Sequence, residues 1–290
     1  MKITNNAGIP QPIVDAIKND TYSKGKADIS VTQLIAPAQI VALERKHEHE
    51  IEEDASDRIY ALLGQAVHTI LERSAGADAV TEERLFYDYQ DWILSGQIDR
   101  IEIKPDKSSV TIQDWKIASV WEYIYGIKPE RIEQLNCYAQ LYRDTGWEIP
   151  VTKLETVFIF RDWQKSKAKR DEKYPQQQIA IIDIPLWADA KAFINQRMML
   201  HQSKNAGKFL CTDEDRWKDP TKWAVKKSDR QRAVRVFDNY EEALEFVEDP
   251  KWKIELYLEE RPSVPKRCVD YCSVAPFCNQ YQKELKIEAA

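Results

Sequence analysis

Two aspartates and a lysine stand where strands of an ordinary sheet would carry valine. In "SGQIDRIEIKPDKSSVTIQDWKIAS", residues 95–119, "KPDKSS" reads as a turn between two strands. Side chains alternate along a strand, so Asp114 and Lys116 point to one face, and Asp99 can lie opposite them across the turn. Two carboxylates brought together in a partly buried place repel, and oxygen ligands of this kind suit Mg2+ or Mn2+. A lysine beside them can orient a water for attack or offset the charge that builds on a phosphate. The chemistry implied is metal-assisted hydrolysis of a phosphate ester. The plainer reading is an exposed hairpin whose charges face water, and the surroundings decide between the two.

A second constellation lies at the other end of the chain. Cys268, Cys272 and Cys278 crowd into "RCVDYCSVAPFC", Cys211 stands alone upstream, and Cys137 falls inside a helical pattern. Because the first twenty residues lack the apolar core of a signal peptide, these thiols point to a metal or cluster site more than to disulfides. A cytoplasmic location is expected, bacterial or in the host cell if the chain is phage-encoded. No run approaches the ~18 apolar residues of a membrane span. The net charge of -6 argues against coating nucleic acid by bulk electrostatics, although a local basic groove is compatible with it.

The elements that must position these residues follow from periodicity. Ser56 can cap a helix whose apolar residues Ile59, Tyr60, Leu63, Val67, Ile70 and Leu71 recur at helical spacing until Gly76; His68 rides on it. "ERLFYDY", "WILSGQIDRIEI" and "SVTIQDWKIA" read as successive strands, and Glu82 and Glu83 at the first strand's start could supply a further acid. Pro129 opens a helix with Ile132, Leu135, Ala139 and Tyr142 on one stripe, and two more strands and a helix over 186–204 follow. The expected fold is α/β, a central mixed sheet flanked by helices. Its divisions are a helical entry segment (1–55), a core (56–205) and a charged, Trp-rich C-terminal segment with the cysteines (206–290) packed on the core.

Four elements in order resemble the PD-(D/E)XK nucleases, and within them the RecB-like branch, which includes RecB and AddB nuclease domains and the iron-sulfur nucleases of CRISPR adaptation. They are "GQAVH" at Gly64–His68, "GQID" at Gly96–Asp99, "DWK" at Asp114–Lys116 and "QLNCY" at Gln134–Tyr138. The resemblance implies a restriction-endonuclease-like core. It also implies that His68, Asp99, Asp114 and the Trp115 carbonyl bind metal, that Lys116 is the catalytic lysine, and that Gln134 and Tyr138 touch DNA or brace the site. The C-x3-C-x5-C trio resembles the one that, with a fourth cysteine, holds a 4Fe-4S cluster in such nucleases. Here the segment where that fourth cysteine usually lies, "TQLIAPAQIVAL", contains none, which leaves Cys211 as the available ligand. Zn2+ on four thiolates is the alternative.

Basic residues interleave with aromatics in two places: Lys165, Lys167, Lys169 and Arg170 after Trp163, and Lys222, Lys226, Lys227, Arg230, Arg232 and Arg235 after Trp217 and Trp223. Such patches suit a phosphate backbone and stacked single-stranded bases, or else are solvated loops. The expected function is a metal-dependent deoxyribonuclease, an exonuclease on DNA ends or single strands in recombination, repair or phage DNA processing. Recombination or replication proteins are its possible partners. The competing class is a DNA-binding or scaffolding subunit that keeps the fold without the chemistry.

Overall fold

A computed structural model of the chain describes residues 1–20, 24–74, 76–249, 251 and 255–288. Two compact units divide it, Met1–Gly207 and Lys208–Ala290. The first runs β1 (Lys2–Thr4), α1 (Gln11–Lys18), β2 (Ile29–Ser30), α2 (Val31–Ile35), α3 (Ala38–Lys46), β3 (Glu52–Asp54), α4 (Ile59–Glu72), β4 (Ala79–Tyr89), β5 (Trp92–Ile103) and β6 (Val110–Ala118). It continues through α5 (Val120–Ile124), α6 (Pro129–Asp144), β7 (Val151–Phe160), α7 (Lys165–Ala168), β8 (Ile179–Ile184) and α8 (Lys191–Gln202). Among the described residues no helix is long and apolar enough to cross a membrane.

The main sheet is mixed, as the sequence leads one to expect, with strand order β2-β5-β6-β7-β8 and β4 also paired with β5. The entry segment supplies the strand β2: Ile29 and Ser30 pair in parallel with Leu94 and Ser95 of β5. β2 borders the first half of β5 and β6 borders Arg100–Ile103. Between them, residues 96–99 have no ladder partner on that side among the described residues. That gap is where "GQID" lies.

α6 lies against β4, β5, β6 and β7 and against α2. All of its residues from Gln134 to Tyr142 are buried, not only the apolar stripe the spacing predicts. Its polar residues are matched in place: Asn136 donates to the Pro185 carbonyl (2.9 Å) and accepts from Trp187 N–H (2.7 Å), and Gln140 accepts from Ala190 N–H (3.1 Å). A helix hydrophilic enough to face water is thus held in the core by its hydrogen bonds to the β8–α8 connection. α4 differs from expectation in the other direction. None of its residues is fully buried, and Tyr60, Leu63 and Ile70 are exposed. It is entered through a tight turn at Ala55–Arg58 capped by Asp54, which accepts from Ser56 N–H, so Ser56 is the capped residue and not the cap. It ends at Glu72, before Gly76.

His201 on α8 is buried, with Nε2 2.9 Å from the Leu34 carbonyl, which also accepts from Arg197 Nε at 2.9 Å. Burial, with Arg197 and Arg45 nearby, pushes the imidazole down to about 4. The unfolded chain takes up this proton near pH 6.5 and the folded chain does not. The contribution to stability is therefore complete above pH 6.5, falls as the pH drops and is gone at pH 4, a loss of up to about 3 kcal/mol. Urea midpoints measured at pH 7.5 and 4.5 should differ less in His201→Leu than in the parent.

The second unit holds β9 (Lys222–Lys227), β10 (Arg235–Phe237), α9 (Tyr240–Glu248), β11 (Leu256–Arg261) and α10 (Asn279–Glu288). The strands form an antiparallel sheet of order β10-β9-β11, on which Ala243 of α9 packs against Val225, Phe237 and Leu256. A wide, π-helical turn at Arg267–Tyr271 carries Cys268.

Candidate metal centre

β5 and β6 run antiparallel with Arg100 opposite Gln113 and Ile101 opposite Ile112. Carried one pair further, that register sets Asp99 opposite Asp114. The backbone ladder stops there and a side chain replaces it: Asp99 Oδ2 accepts from Trp115 N–H at 2.7 Å. Asp114 is 1% exposed. Its Oδ1 pairs with Lys116 Nζ at 2.5 Å, the same-face contact that spacing predicts, and its Oδ2 is buried with no hydrogen-bond partner. A buried, unmatched carboxylate oxygen is costly unless a cation takes it.

α4 brings His68 to this point. Its Nε2 lies 3.1 Å from the Trp115 carbonyl, while Nδ1 faces Glu82 Oε1 at 3.4 Å and Asp99 Oδ1 at 3.6 Å. Donor atoms of His68, Glu82 and Asp99 all lie within 4.8 Å of one another, the one such group among the described residues. Glu82 thus joins His68 and Asp99 in the tightest set, and Asp114 stands beside it holding the lysine. An imidazole and several carboxylate oxygens at this spacing fit a small divalent cation. The electrostatics agree. Burial, then the Asp114 charge, holds the Asp99 acid well above the usual carboxylate range, and the hydrogen bond to Glu82 raises His68 against the opposing effect of burial.

Spacing alone does not choose between Glu82 and Glu83. In β4, Thr81 pairs with Arg100 and Glu83 with Ile98, but the Glu82–Asp99 pair between them is missing from the ladder. Glu82 has a left-handed backbone (φ 52°), uncommon outside glycine, and strain of this kind collects at functional sites. Gln97 donates to its Oε2 at 2.7 Å and is itself held by Arg84. Glu82 and Arg84 line the cleft, whereas Glu83 does not.

That cleft, about 910 Å³, is also lined by Gly64, Asp99, Lys116, Gln134 and Tyr138. Gln134 Nε2 donates to Tyr138 Oη at 2.8 Å, and the Tyr138 ring packs on Gly96, where an added Cβ would meet it at 2.9 Å. The glycine of "GQID" is therefore a seat for the tyrosine of "QLNCY". Gly96→Ala should cost about 1–3 kcal/mol by overpacking. It should also slow any reaction at the site, because Asp99 lies three residues on; thermal melting and initial rates check both effects.

In the second unit, Lys222 pairs with Asp238 (3.3 Å), Lys226 with Glu259 (2.7 Å) and Lys227 with Asp229 (2.9 Å). Arg235 stacks over Phe237 and Phe246. Arg230 and Arg232 are exposed in the β9–β10 connection. Of this basic stretch, three lysines thus already have carboxylate partners.

A model described as the PD-(D/E)XK nuclease superfamily matches residues 25–279. Among curated proteins none matches significantly. Of solved structures, the crystal structure of SSO0001 matches over 71% of this chain and 86% of that one, at 18% identity and a TM-score of 0.47.

Proposed function

This chain belongs to the PD-(D/E)XK nuclease superfamily, a group of metal-dependent nucleases that use Mg2+ or Mn2+, and we propose that it acts on DNA as an exonuclease, at ends or on single strands, in recombination, repair or phage DNA processing. The observation that carries this reading is the convergence of His68, Glu82 and Asp99 donors at a cleft also lined by Lys116, which is ion-paired with the buried Asp114. When bound, the ion supplies Lewis-acid polarisation of the phosphate and eases deprotonation of water. Asp114 aims the Lys116 ammonium, which offsets charge developing on the phosphate. His68 is steadied by the Trp115 carbonyl, and Gln134 and Tyr138 brace β5 at Gly96. Arg230 and Arg232 contact the DNA backbone, with Lys222, Lys226 and Lys227 contributing less because they are paired. The test is end-labelled single- and double-stranded DNA incubated with each metal, with product lengths read from both ends. Short products from linear DNA and resistance of circular single strands are expected. Binding without cleavage under both metals would favour a scaffolding subunit instead.

Within this reading Cys211, Cys268, Cys272 and Cys278 hold a 4Fe-4S cluster. In support, the four cysteines lie near enough to interact within the second unit: burial first, with neighbouring cysteines adding to it, raises the Cys211 and Cys272 thiols above the usual range. None of these cysteines forms a disulfide. Gln280 of α10 bonds both the N–H (3.0 Å) and the carbonyl (2.9 Å) of Cys211, joining it to the helix that follows Cys278. Anaerobically purified protein should be brown and contain near-equal iron and sulfide. Cys272→Ser and Cys211→Ser should lose the colour, while Cys137→Ser, a thiol fully buried in α6, should keep it. Colourless protein with one zinc per chain would replace the cluster.

A further inference from the structure

Directly after β6, and so just past Asp114 and Lys116, the chain turns into α5, whose start is clamped by Asp162: Oδ1 accepts from Val120 N–H (2.8 Å) and Oδ2 from the Ser119 hydroxyl (2.6 Å). Trp121 on this short helix and Tyr125, the residue that caps its end four positions on, stack with ring centroids 5.6 Å apart and planes 21° from parallel. They are 49% and 81% exposed. A local pair of this kind adds only a few tenths of a kcal/mol to a helix that Asp162 already anchors, so helix stability does not explain two large rings facing water.

Cations fringe the rings. Lys167 Nζ lies 6.0 Å from the Trp121 ring, and Arg161, whose N–H donates to the Ala118 carbonyl, stacks its guanidinium 4.3 Å over Tyr60. Tyr60 is itself 61% exposed and lies four residues before Gly64 and eight before His68, on one face of α4. Gly64 and His68, on the same helix face as Tyr60, line the cleft. Exposed aromatic faces alternating with Arg and Lys, just past the β6 strand that carries Asp114 and Lys116, match a strand whose bases are free to stack and whose phosphates follow the cations. A duplex keeps all but its terminal base faces inside the stack.

We infer that Trp121 and Tyr125, with Arg161 over Tyr60 and with Lys167, form a platform that stacks the unpaired bases of a DNA strand entering the cleft. The platform gives the site a preference for single-stranded substrate. The inference rests on the reading of the cleft as a DNA nuclease, but its test does not depend on cleavage.

Binding of the full chain, in EDTA so that nothing is cut, is measured by anisotropy on three labelled probes. These are an oligothymidylate of about 20 nucleotides, longer than one such site, an abasic strand of the same length, and a blunt duplex. The double variant Trp121→Ala with Tyr125→Ala should bind the oligothymidylate about tenfold or more weakly, with the abasic strand and the duplex unchanged within error, and Trp121→Phe should retain most of the affinity. Should the double variant melt early, Tyr125→Ala alone, which removes an exposed side chain, serves in the same comparison. Unchanged binding to oligothymidylate, or an equal loss on the abasic strand, overturns the platform. Failure of the parent to cut any DNA with Mg2+ or Mn2+ overturns the nuclease reading instead and leaves the binding result standing.

Discussion

Asp114→Asn should yield a protein that folds and binds DNA but cuts it at least about 10³-fold more slowly, and Lys116→Ala should cut about 10²- to 10³-fold more slowly. Asp114 pairs with Lys116 through one oxygen and holds the other buried and unmatched, so the amide removes both a ligand and the aim of the lysine. The two variants should part in stability. Lys116 is 20% exposed at its side chain and Asp114 only 1%. Losing the aspartate leaves an ammonium that water can reach, and it relieves the repulsion with Asp99. Losing the lysine leaves a buried carboxylate beside another, a penalty of up to about 3 kcal/mol. In a chelator, then, Asp114→Asn should melt no lower than the parent and Lys116→Ala should melt lower. Calorimetric titration with Mn2+ should show weakened binding in Asp114→Asn only. Single-turnover rates near the parent's in either variant would remove these residues from the chemistry.

A second large effect is expected at Glu82, and its neighbour is the control. Glu82→Gln deletes one charge from the converging His68, Glu82 and Asp99 group while keeping the side chain's length and its contact with Gln97. Mn2+ affinity should fall at least about tenfold and the rate about 10²-fold, with little change in melting. Glu83→Gln, off the cleft, should match the parent in both. If Glu83→Gln lost activity and Glu82→Gln kept it, the acid would have been assigned to the wrong side of the strand. Because Glu82 carries the left-handed backbone, Glu82→Gly should ease that strain while abolishing the ligand, so stability and activity should move in opposite directions.

Several features of this site are written locally, and the sequence alone determines them. The strand period of two puts Asp114 and Lys116 on one face, and the helix repeat puts Gln134 one turn from Tyr138. β5 spans Trp92–Ile103, the run "WILSGQIDRIEI" that alternation and the following turn delimit. The α/β class follows from the same periodicities, and the family from four short motifs in order.

What only the tertiary structure decides are the matters that depend on which face meets which. Glu82 rather than Glu83 turns inward because its left-handed backbone interrupts the ladder opposite Asp99, and no propensity of "TEER" announces that. Gln134–Tyr142 is buried on every side because strands lie against it and the β8–α8 connection satisfies its amides; a single-helix pattern shows one stripe at most. α4 looks like a core helix by composition, yet its Gly64–His68 face borders the cleft and Tyr60, Leu63 and Ile70 lie exposed. β9, β10 and β11 are short and charged, so they lack the alternation that marks a strand, and they become a sheet only by pairing with one another. The same pairing sets Lys226 beside Glu259, residues thirty-three apart in sequence, and so takes from the basic stretch much of the charge that composition had assigned to DNA. Periodicity fixes the direction of a side chain relative to its own element, whereas its partner and its exposure come from contacts between elements distant in the chain.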